Sequence, residues 1–161
     1  MKKLRTLLWA MALCMPLSAL AGYAPAKVQA ALKTMYPEAT DIAWSRENNY
    51  YVADFITNGY ETDVWLDANA NWIMTLTDLE STDTLSPTVY NAFAMGEYAA
   101  GQVEDVTQAT FPKRPTVIVI EVGQQNMDIK YQLFYATDGT LIQAVNMGYG
   151  DGKLWPDTFN F

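Results

Sequence analysis

The sequence predicts an α+β fold in which helices pack on one face of an antiparallel sheet. Apolar residues recur at helical spacing in two short segments, each led by a proline, and alternating runs with turn residues follow both segments. A weak internal similarity aligns residues 66–73 with residues 135–142 without a gap. We therefore expect two tandem repeats, about 23–80 and 86–145, each a helix packed on about four antiparallel strands.

The two predicted helices carry apolar stripes that are typical of core packing and not of a cofactor site. Pro25 is expected at the first helical position of the first helix, which ends before Pro37. Its stripe comprises Val28, Ala31, Leu32 and Met35. In the second helix Ser86 is expected as the N-cap and Pro87 as the first helical residue. The second stripe comprises Val89, Tyr90, Phe93 and Ala94.

The N-terminus has the pattern of a cleaved secretory signal peptide. A basic start at residues 2–5 precedes a mostly apolar run, and the small residues Ala19 and Ala21 form a cleavage site, so residues 1–21 are expected to be removed. The mature chain, 22–161, is then a single domain of two repeats with a C-terminal tail, 146–161. It is expected to be exported to the periplasm or the extracellular space. No membrane span is expected, because Pro16 and Ser18 interrupt a run that is already short.

Composition excludes several classes of function. The sequence has no histidine, so neither a Ser-His-Asp triad nor a histidine-bound zinc or haem can be built from this chain. Cleavage removes the only cysteine, Cys14, and leaves seven basic and eighteen acidic residues, a net charge of −11. A field of that sign repels nucleic acid and anionic membranes and favours basic partners. No cofactor is expected.

The dipeptide Asn58-Gly59 predicts a two-residue hairpin turn that fixes the register of two strands. Residue 57 then faces 60, 55 faces 62, 54 faces 63 and 52 faces 65. One face of this hairpin is free of acids and belongs under a helix. The other face gathers acids with large apolar side chains, and a second two-residue turn at 69–70 is expected to add Trp72, Met74 and Leu76 to it. A two-residue turn is likewise expected at Asp138-Gly139.

Aromatic and acidic side chains on an open sheet face are typical of a protein-binding surface. The expected binding residues are Tyr50, Asp54, Asp63, Trp65, Asp67 and Trp72. Trp65 is the expected anchor, exposed enough that its truncation leaves the fold intact. The alternative is that the second repeat or a dimer mate packs on this face, in which case these residues belong to a core edge.

Two catalytic or metal-dependent alternatives remain. Asp67, Asn69, Asn71 and Asp78 have the spacing of a calcium loop, although Trp72 occupies the position that needs glycine. Asp54 and Asp63 form a carboxylate pair of the kind that glycoside hydrolysis uses. These patterns define the runner-up function, a carboxylate-based or calcium-dependent enzyme or sensor for an extracellular small molecule or glycan. The leading expectation is a non-catalytic binding or inhibitor-like protein.

Residues 25–76 resemble the PepSY-like family of exported bacterial proteins that are described as β-lactamase-inhibitor-like, and residues 86–145 follow the same pattern loosely. The resemblance rests on Val28, Ala31, Leu32, Tyr36, Pro37, Ala39, Ile42, Trp44, Ser45, Glu47, residues 50–55 and 63–67, and Trp72. Ala70 stands where relatives often carry glycine. The resemblance implies tandem helix-plus-four-strand repeats, similar to β-lactamase inhibitory protein, with a concave protein-binding sheet and no catalysis. The implied partner is an exported or envelope protein, possibly an enzyme that it inhibits. Inhibition of a β-lactamase is not carried over, because the true inhibitors contain disulfides.

Overall fold

The computed structural model describes residues 24–123, 129–148, 150 and 152–161, so the predicted signal peptide lies outside the described residues. Two α-helices and eight strands make up the fold. They are α1 (Ala26–Met35), β1 (Ala43–Glu47), β2 (Tyr50–Thr57), β3 (Tyr60–Asp67), β4 (Trp72–Asp78), α2 (Pro87–Ala94), β5 (Gln102–Thr110), β6 (Val117–Gly123), β7 (Lys130–Ala136) and β8 (Leu141–Asn146). Short 3₁₀ helices span Thr82–Thr84 and Pro156–Phe159. Among the described residues, no helix has the length and apolar character needed to cross a membrane.

The eight strands form one antiparallel sheet in the order of the sequence. Both helices lie on the same face, which buries one apolar cluster under each helix. Val28 and Leu32 of α1 pack against side chains of β2 and β3, including Phe55. Val89 and Phe93 of α2 pack against side chains of β5, β6 and β7. The α+β class predicted from the sequence is therefore confirmed. The face opposite the helices is called the second face below.

Both helices begin within one residue of the positions predicted from the sequence. Ser86 caps α2 as expected, because its hydroxyl oxygen accepts a hydrogen bond from the Val89 amide, and Pro87 is the first helical residue. Pro25 is the N-cap of α1 and not its first helical residue, because α1 begins at Ala26. The expected stripe of α2 is too wide, since Tyr90 and Ala94 are exposed.

The register predicted from the turn at Asn58-Gly59 is confirmed. Thr57 pairs with Tyr60 and Asp54 with Asp63, and the pairing continues along both strands to Tyr50 and Asp67. Asn58 has φ +54° and Gly59 has φ +86°, as a two-residue turn with two left-handed residues requires. Glycine carries no steric cost in this conformation, which explains the strength of the signal.

The two-residue turns expected at 69–70 and 138–139 are wrong. Both are three-residue loops: the Ala70 amide donates to the Asp67 carbonyl, and the Gly139 amide donates to the Ala136 carbonyl. Ala70 and Gly139 are left-handed, with φ +67° and +85°. Such loops are followed by a β-bulge, and the register shifts beside each one, between Trp65 and Leu66 and between Phe134 and Tyr135.

The bulge in β4 corrects the expected position of Trp72. Leu66 pairs with Trp72 while Trp65 pairs with Met74, which leaves Ile73 as the extra residue. Trp72 consequently packs with the cluster under α1, and its indole Nε1 donates to the Thr75 hydroxyl at 3.0 Å. Ile73 turns to the second face, where Met74 and Leu76 lie as expected. An inserted residue reverses the facing of every position beyond it.

The second face is not open at Trp65, because the C-terminal tail of the same chain covers it. Leu154 and Phe159 belong to one buried cluster with Trp65, Met74 and Phe134. Trp65 is only 2% exposed, so the expectation of an exposed anchor is wrong. The Trp65 side chain points to the second face, as predicted. The alternative expected a second repeat or a dimer mate to pack on this face, but the C-terminal tail packs there instead.

Burial on both faces gives a stability prediction for β3. We expect Trp65→Ala to lower the free energy of unfolding by about 3–5 kcal/mol, because a large buried aromatic is removed. Val64→Ala, under α1, should lower it by roughly 1.5–3 kcal/mol. Ile56→Ala is the control, since Ile56 is 68% exposed on the second face, and should change stability by no more than about 0.5 kcal/mol. Urea denaturation checks this, and a Trp65→Ala protein as stable as Ile56→Ala would contradict the tail packing.

Candidate functional site

An acidic groove lies on the second face beside the C-terminal tail. It encloses a cavity of about 300 Å³ between strands β2 to β6 and the tail. Six carboxylates line it, and we call this set, with the cavity, the acidic groove: Asp54, Glu61, Asp63, Asp78, Asp105 and Glu121. Lys153 of the tail is the one cation among the lining residues. Alternation along each strand places these acids on one face, because every second side chain points the same way.

Asp63 lies at the centre of the groove's electrostatics. It pairs directly with Asp54 across β2 and β3. Burial, followed by repulsion from Asp54, raises the pKa of Asp63 from 3.8 to about 6, while Lys153 opposes the rise. Desolvation and like charges both disfavour the ionised carboxylate. The groove therefore carries a carboxyl group that changes charge near pH 6.

Three of the six carboxylates accept no hydrogen bond from the described residues, namely Asp54, Glu61 and Asp63. The others are held by their own surroundings. Asp105 accepts from the Thr107 hydroxyl at 2.7 Å, and Asp78 accepts from the Glu80 amide at 2.7 Å. Glu121 accepts from the Gln132 amide nitrogen at 2.8 Å. The end of the groove formed by β2 and β3 thus holds the three acids that accept no hydrogen bond from the part of the chain that the structure describes.

The tail forms one wall of the groove, and its backbone is fitted to the acids. Gly152 has φ +71°, and a Cβ there would lie 2.8 Å from Glu121 Oε1, so any other residue would be strained and would displace the end of the Glu121 side chain. The Gly152 carbonyl accepts a hydrogen bond from Gln132. Lys153 Nζ lies 2.9 Å from Glu47 Oε1 and 4.7 Å from the centre of the Trp155 ring. These contacts position Lys153 against a second, smaller recess of about 200 Å³, which Asp54 and Asp63 also line.

The structure brings only some of the predicted site residues to the groove. Asp54, Asp63 and Trp65 line it. Trp65 forms its buried floor, packed edge-to-face with Tyr50 at 5.9 Å and Trp155 at 5.5 Å between ring centres. Its indole Nε1–H is buried and has no hydrogen-bond partner among the described residues.

Asp67 and Trp72 lie outside the groove. The Asp67 carboxylate accepts hydrogen bonds from the Asn69 amide at 2.8 Å and from the Asn71 amide at 2.9 Å, and a third from the Asn71 side chain. These bonds, that of the Asn71 side chain first, hold the pKa of Asp67 below its usual value. The spacing that suggested a calcium loop is therefore that of a turn stabilised by its own aspartate. Within the described residues, no group of three or more potential metal-binding side chains is found.

Sequence reasoning missed the contributions of the second half of the chain to the groove. Asp105 and Glu121 come from β5 and β6, and Lys153 from the tail. Their signal was the alternation in β6, where Glu121 falls on the same face as Val117 and Val119. This alternation does not place Glu121 in the groove unless it is known that β4 pairs with β5, because that pairing joins both halves of the chain into one sheet.

A helix-covered antiparallel sheet with an acidic groove on the opposite face defines a small α+β protein. Comparison with known proteins gives the family. The sequence model of the family described as "Putative beta-lactamase-inhibitor-like, PepSY-like" matches residues 49–143. The chain belongs to this PepSY-like family. The match reaches from β2 to β8, and so extends through the half that was expected to follow the pattern only loosely.

Solved structures of similar proteins come from Bacteroides species. A DUF2874 family protein from Bacteroides ovatus is 48% identical, with a TM-score of 0.83, over 86% of this chain and 99% of that chain. A "BLIP-like protein" from Bacteroides fragilis is 40% identical, with a TM-score of 0.78, over 84% of this chain and 96% of that one. A protein from Bacteroides eggerthii, described as "putative periplasmic", is 44% identical, with a TM-score of 0.78, over 81% and 94%. No curated protein matches this chain.

The raised pKa of Asp63 predicts a pH dependence of stability. Between pH 3.8 and about 6 the native protein binds more protons at Asp63 than the unfolded chain, so this group's stabilisation is lost as the pH rises through about 6. Asp63→Asn should remove that part of the pH dependence and stabilise the protein at pH 7. NMR titration of the Asp63 carboxyl carbon checks the midpoint.

Asp67→Asn is the matched control for this titration. Because the pKa of Asp67 is lowered, its contribution is present above its ordinary pKa and is lost as the pH falls. Asp67→Asn should therefore destabilise the protein at pH 7, which is the opposite sign. An Asp63 midpoint near 4 would contradict the burial of this carboxyl group in the groove.

Proposed function

We propose that this protein is an exported, non-catalytic binding or inhibitor-like protein that receives a basic side chain of its partner in the acidic groove. The partner is an exported or envelope protein. The observation that carries the proposal is the group of three carboxylates, Asp54, Glu61 and Asp63, which accept no hydrogen bond from the described residues and lie at one end of a cavity. A lysine or arginine of a partner adds positive charge and hydrogen-bond donors to those of Lys153, the one cation among the described residues that line this part of the groove.

An apolar contact adjoins the carboxylates. Ile56 is 68% exposed and pairs with Glu61 across β2 and β3. In this proposal Ile56 forms the apolar part of the contact beside the carboxylates. A partner that covers Ile56 also excludes water from Asp54 and Glu61, and so strengthens their attraction for a cation.

Binding of a cation is coupled to the protonation of Asp63. Asp54 is one cause of the raised pKa of Asp63, and a positive charge placed between them relieves that repulsion. A partner's ammonium or guanidinium group lowers the pKa of Asp63 and releases its proton below about pH 6. Affinity for a basic partner is therefore greater at pH 7 than at pH 5.

The remaining predicted site residues support this surface without contacting the partner's cation. Trp65 forms the packed floor, and Tyr50 packs against Trp65 without lining the groove. Asp67 and Trp72 hold the β3–β4 loop and the bulge. In this proposal Asp54 and Asp63 are the contact residues.

The alternative is a carboxylate-based or calcium-dependent enzyme or sensor. The perturbed pKa of Asp63 beside Asp54 is the observation in its favour, because perturbed carboxyl groups cluster at functional sites. The calcium branch loses its support, since the Asp67 carboxylate is occupied by its own loop. The name "BLIP-like protein" carried by the Bacteroides fragilis relative favours the non-catalytic reading.

Export and the two-repeat arrangement belong to the same proposal. The basic start, apolar run and Ala19-x-Ala21 site support cleavage after residue 21. The corresponding loops after β3 and β7, each followed by a bulge, support tandem repeats of about 23–80 and 86–145. The mass of the exported protein and superposition of the two halves in an experimental structure test these two points.

The proposed binding site is tested by photo-crosslinking in the cell envelope. A photoreactive amino acid replaces Ile56 at the edge of the acidic groove, and in a parallel protein it replaces Met95, which is 88% exposed beyond the end of α2. We expect a discrete crosslinked protein from position 56 and none from position 95. Asp54→Asn with Glu61→Gln should reduce this crosslink about tenfold, as expected when two exposed charge contacts of roughly 0.2–1 kcal/mol each are lost.

The matched control removes two charges from the helix side. Glu38→Gln with Glu97→Gln changes the net charge equally, at exposed positions after α1 and α2, and should leave the crosslink unchanged. Equal loss in both double variants would mean that net charge, and not the groove, attracts the partner. Equal crosslinking from positions 56 and 95 would contradict the proposed surface.

A further inference from the structure

The second face holds another cavity at the opposite end, and its chemistry differs from that of the acidic groove. It encloses about 350 Å³ where β5 and β7 end and where β6 and β8 begin, within the roughly 300–1,000 Å³ typical of small-molecule sites. Most of its lining is apolar, and we call it the apolar cavity. Its lining residues are Phe111, Arg114, Pro115, Thr116, Val117, Ala136, Ile142, Phe159 and Phe161.

Two large apolar side chains stand exposed at this cavity. Ile142 is 38% exposed and Phe161 is 53% exposed. The bulge between Phe134 and Tyr135 leaves Ile142 as the unpaired extra residue of β8, and it lines the cavity. Exposed apolar groups around a concavity are typical of a ligand-binding surface.

Arg114 is the only charged residue among those that line the apolar cavity. Its guanidinium carbon lies 4.3 Å from the centre of the Phe111 ring, and its Nη1 donates to the Phe159 carbonyl at 2.8 Å and to Asn160 Oδ1 at 3.4 Å. These contacts fix one edge of the guanidinium group and leave its other N–H donors without a hydrogen bond to the described residues. Among those residues Arg114 makes no ion pair with a carboxylate.

The charge around Arg114 is unusual for this acidic protein. Lys113 precedes it in the segment Pro112-Lys113-Arg114-Pro115, so two consecutive cations stand in a chain whose net charge is −8. All six carboxylates of the acidic groove lie outside the lining of the apolar cavity. An apolar cavity with one planar cation matches a ligand that has an apolar chain and a single anionic head.

We propose that the apolar cavity binds a medium-chain alkyl carboxylate, a free fatty acid, with its chain against Phe111, Val117 and Phe159 and its carboxylate on Arg114. The carboxylate accepts the guanidinium donors that the tail leaves unused. The site is separate from the acidic groove, so its test is independent of the proposed protein-binding function.

The test is an NMR titration of the folded protein at pH 7.5 with octanoate, 1-octanol and octylammonium as probes. Amide shifts report both affinity and location. We expect octanoate to shift the amides of Thr116, Val117 and Ala136, and to bind about tenfold more tightly than octanol, which is the factor expected for one charge-assisted contact. Octylammonium should bind more weakly than octanol, because Arg114 repels it.

Three variants locate the site. Arg114→Gln should reduce octanoate affinity to that of octanol, while unchanged octanol binding shows that the cavity is intact despite the lost contact with the tail. Lys113→Gln is the matched control, since it removes a neighbouring cation that does not line the cavity, and should change octanoate affinity less than about twofold, as expected for a screened charge. Ala136→Leu fills the cavity and should weaken octanoate and octanol alike.

The proposal is overturned if octanoate shifts no amide of the cavity, or if it binds no more tightly than octanol. It is also overturned if Arg114→Gln and Lys113→Gln reduce affinity equally, since the attraction is then a general effect of charge. Octanoate binding that is unchanged in Ala136→Leu places the ligand elsewhere and has the same consequence.

Discussion

The packing of the C-terminal tail on the second face is the constraint on which the rest of the structure depends. A single sheet with helices on one side leaves its other side to water, and here that side carries a tryptophan, a methionine and two phenylalanines. Leu154 and Phe159 bury these side chains, while Arg114 and Gln132 hold the tail backbone through the carbonyls of Phe159 and Gly152. Residues 24–161 contain no cysteine, so no disulfide within them stabilises the fold, and this packing provides stability in its place.

The tail also creates the two sites, because it covers the middle of the face and leaves its ends accessible. At one end Gly152 and Lys153 wall a groove whose acids come from five strands. At the other end Phe159 and Phe161 complete an apolar cavity that contains one arginine. Carboxylates dominate the lining at one end, and apolar side chains with one arginine form the other, so one structural element borders two cavities of different chemistry.

The elements that could be predicted from the sequence are those fixed by local rules. Asn58-Gly59 determines its own turn and with it the register of β2 and β3, and Ser86-Pro87 determines the start of α2. The position of Trp72 could not be predicted in the same way. It depends on whether Ala70 adopts a left-handed conformation, which residues other than glycine, asparagine and aspartate rarely do, and its φ of +67° sets the bulge.

The burial of Trp65 could not be predicted from the sequence either, because it depends on non-local contacts. Its facing follows from alternation, but its exposure depends on a segment ninety residues later that has no periodic pattern. In the sequence, residues 154–159 show only scattered aromatic residues, with no pattern that indicates packing. Only the sheet's full width, with β4 paired to β5, shows that these aromatics have a surface to cover.

The stability of Phe159→Ala tests most directly whether the tail is part of the core. Phe159 is 3% exposed and packs on Phe111 and Phe134, so its truncation should lower the free energy of unfolding by about 3–5 kcal/mol. Phe161→Ala, at an exposed position in the same tail, should cost less than about 1 kcal/mol. Urea denaturation that gives the two variants the same stability as the wild-type protein would show that the tail does not cover the second face.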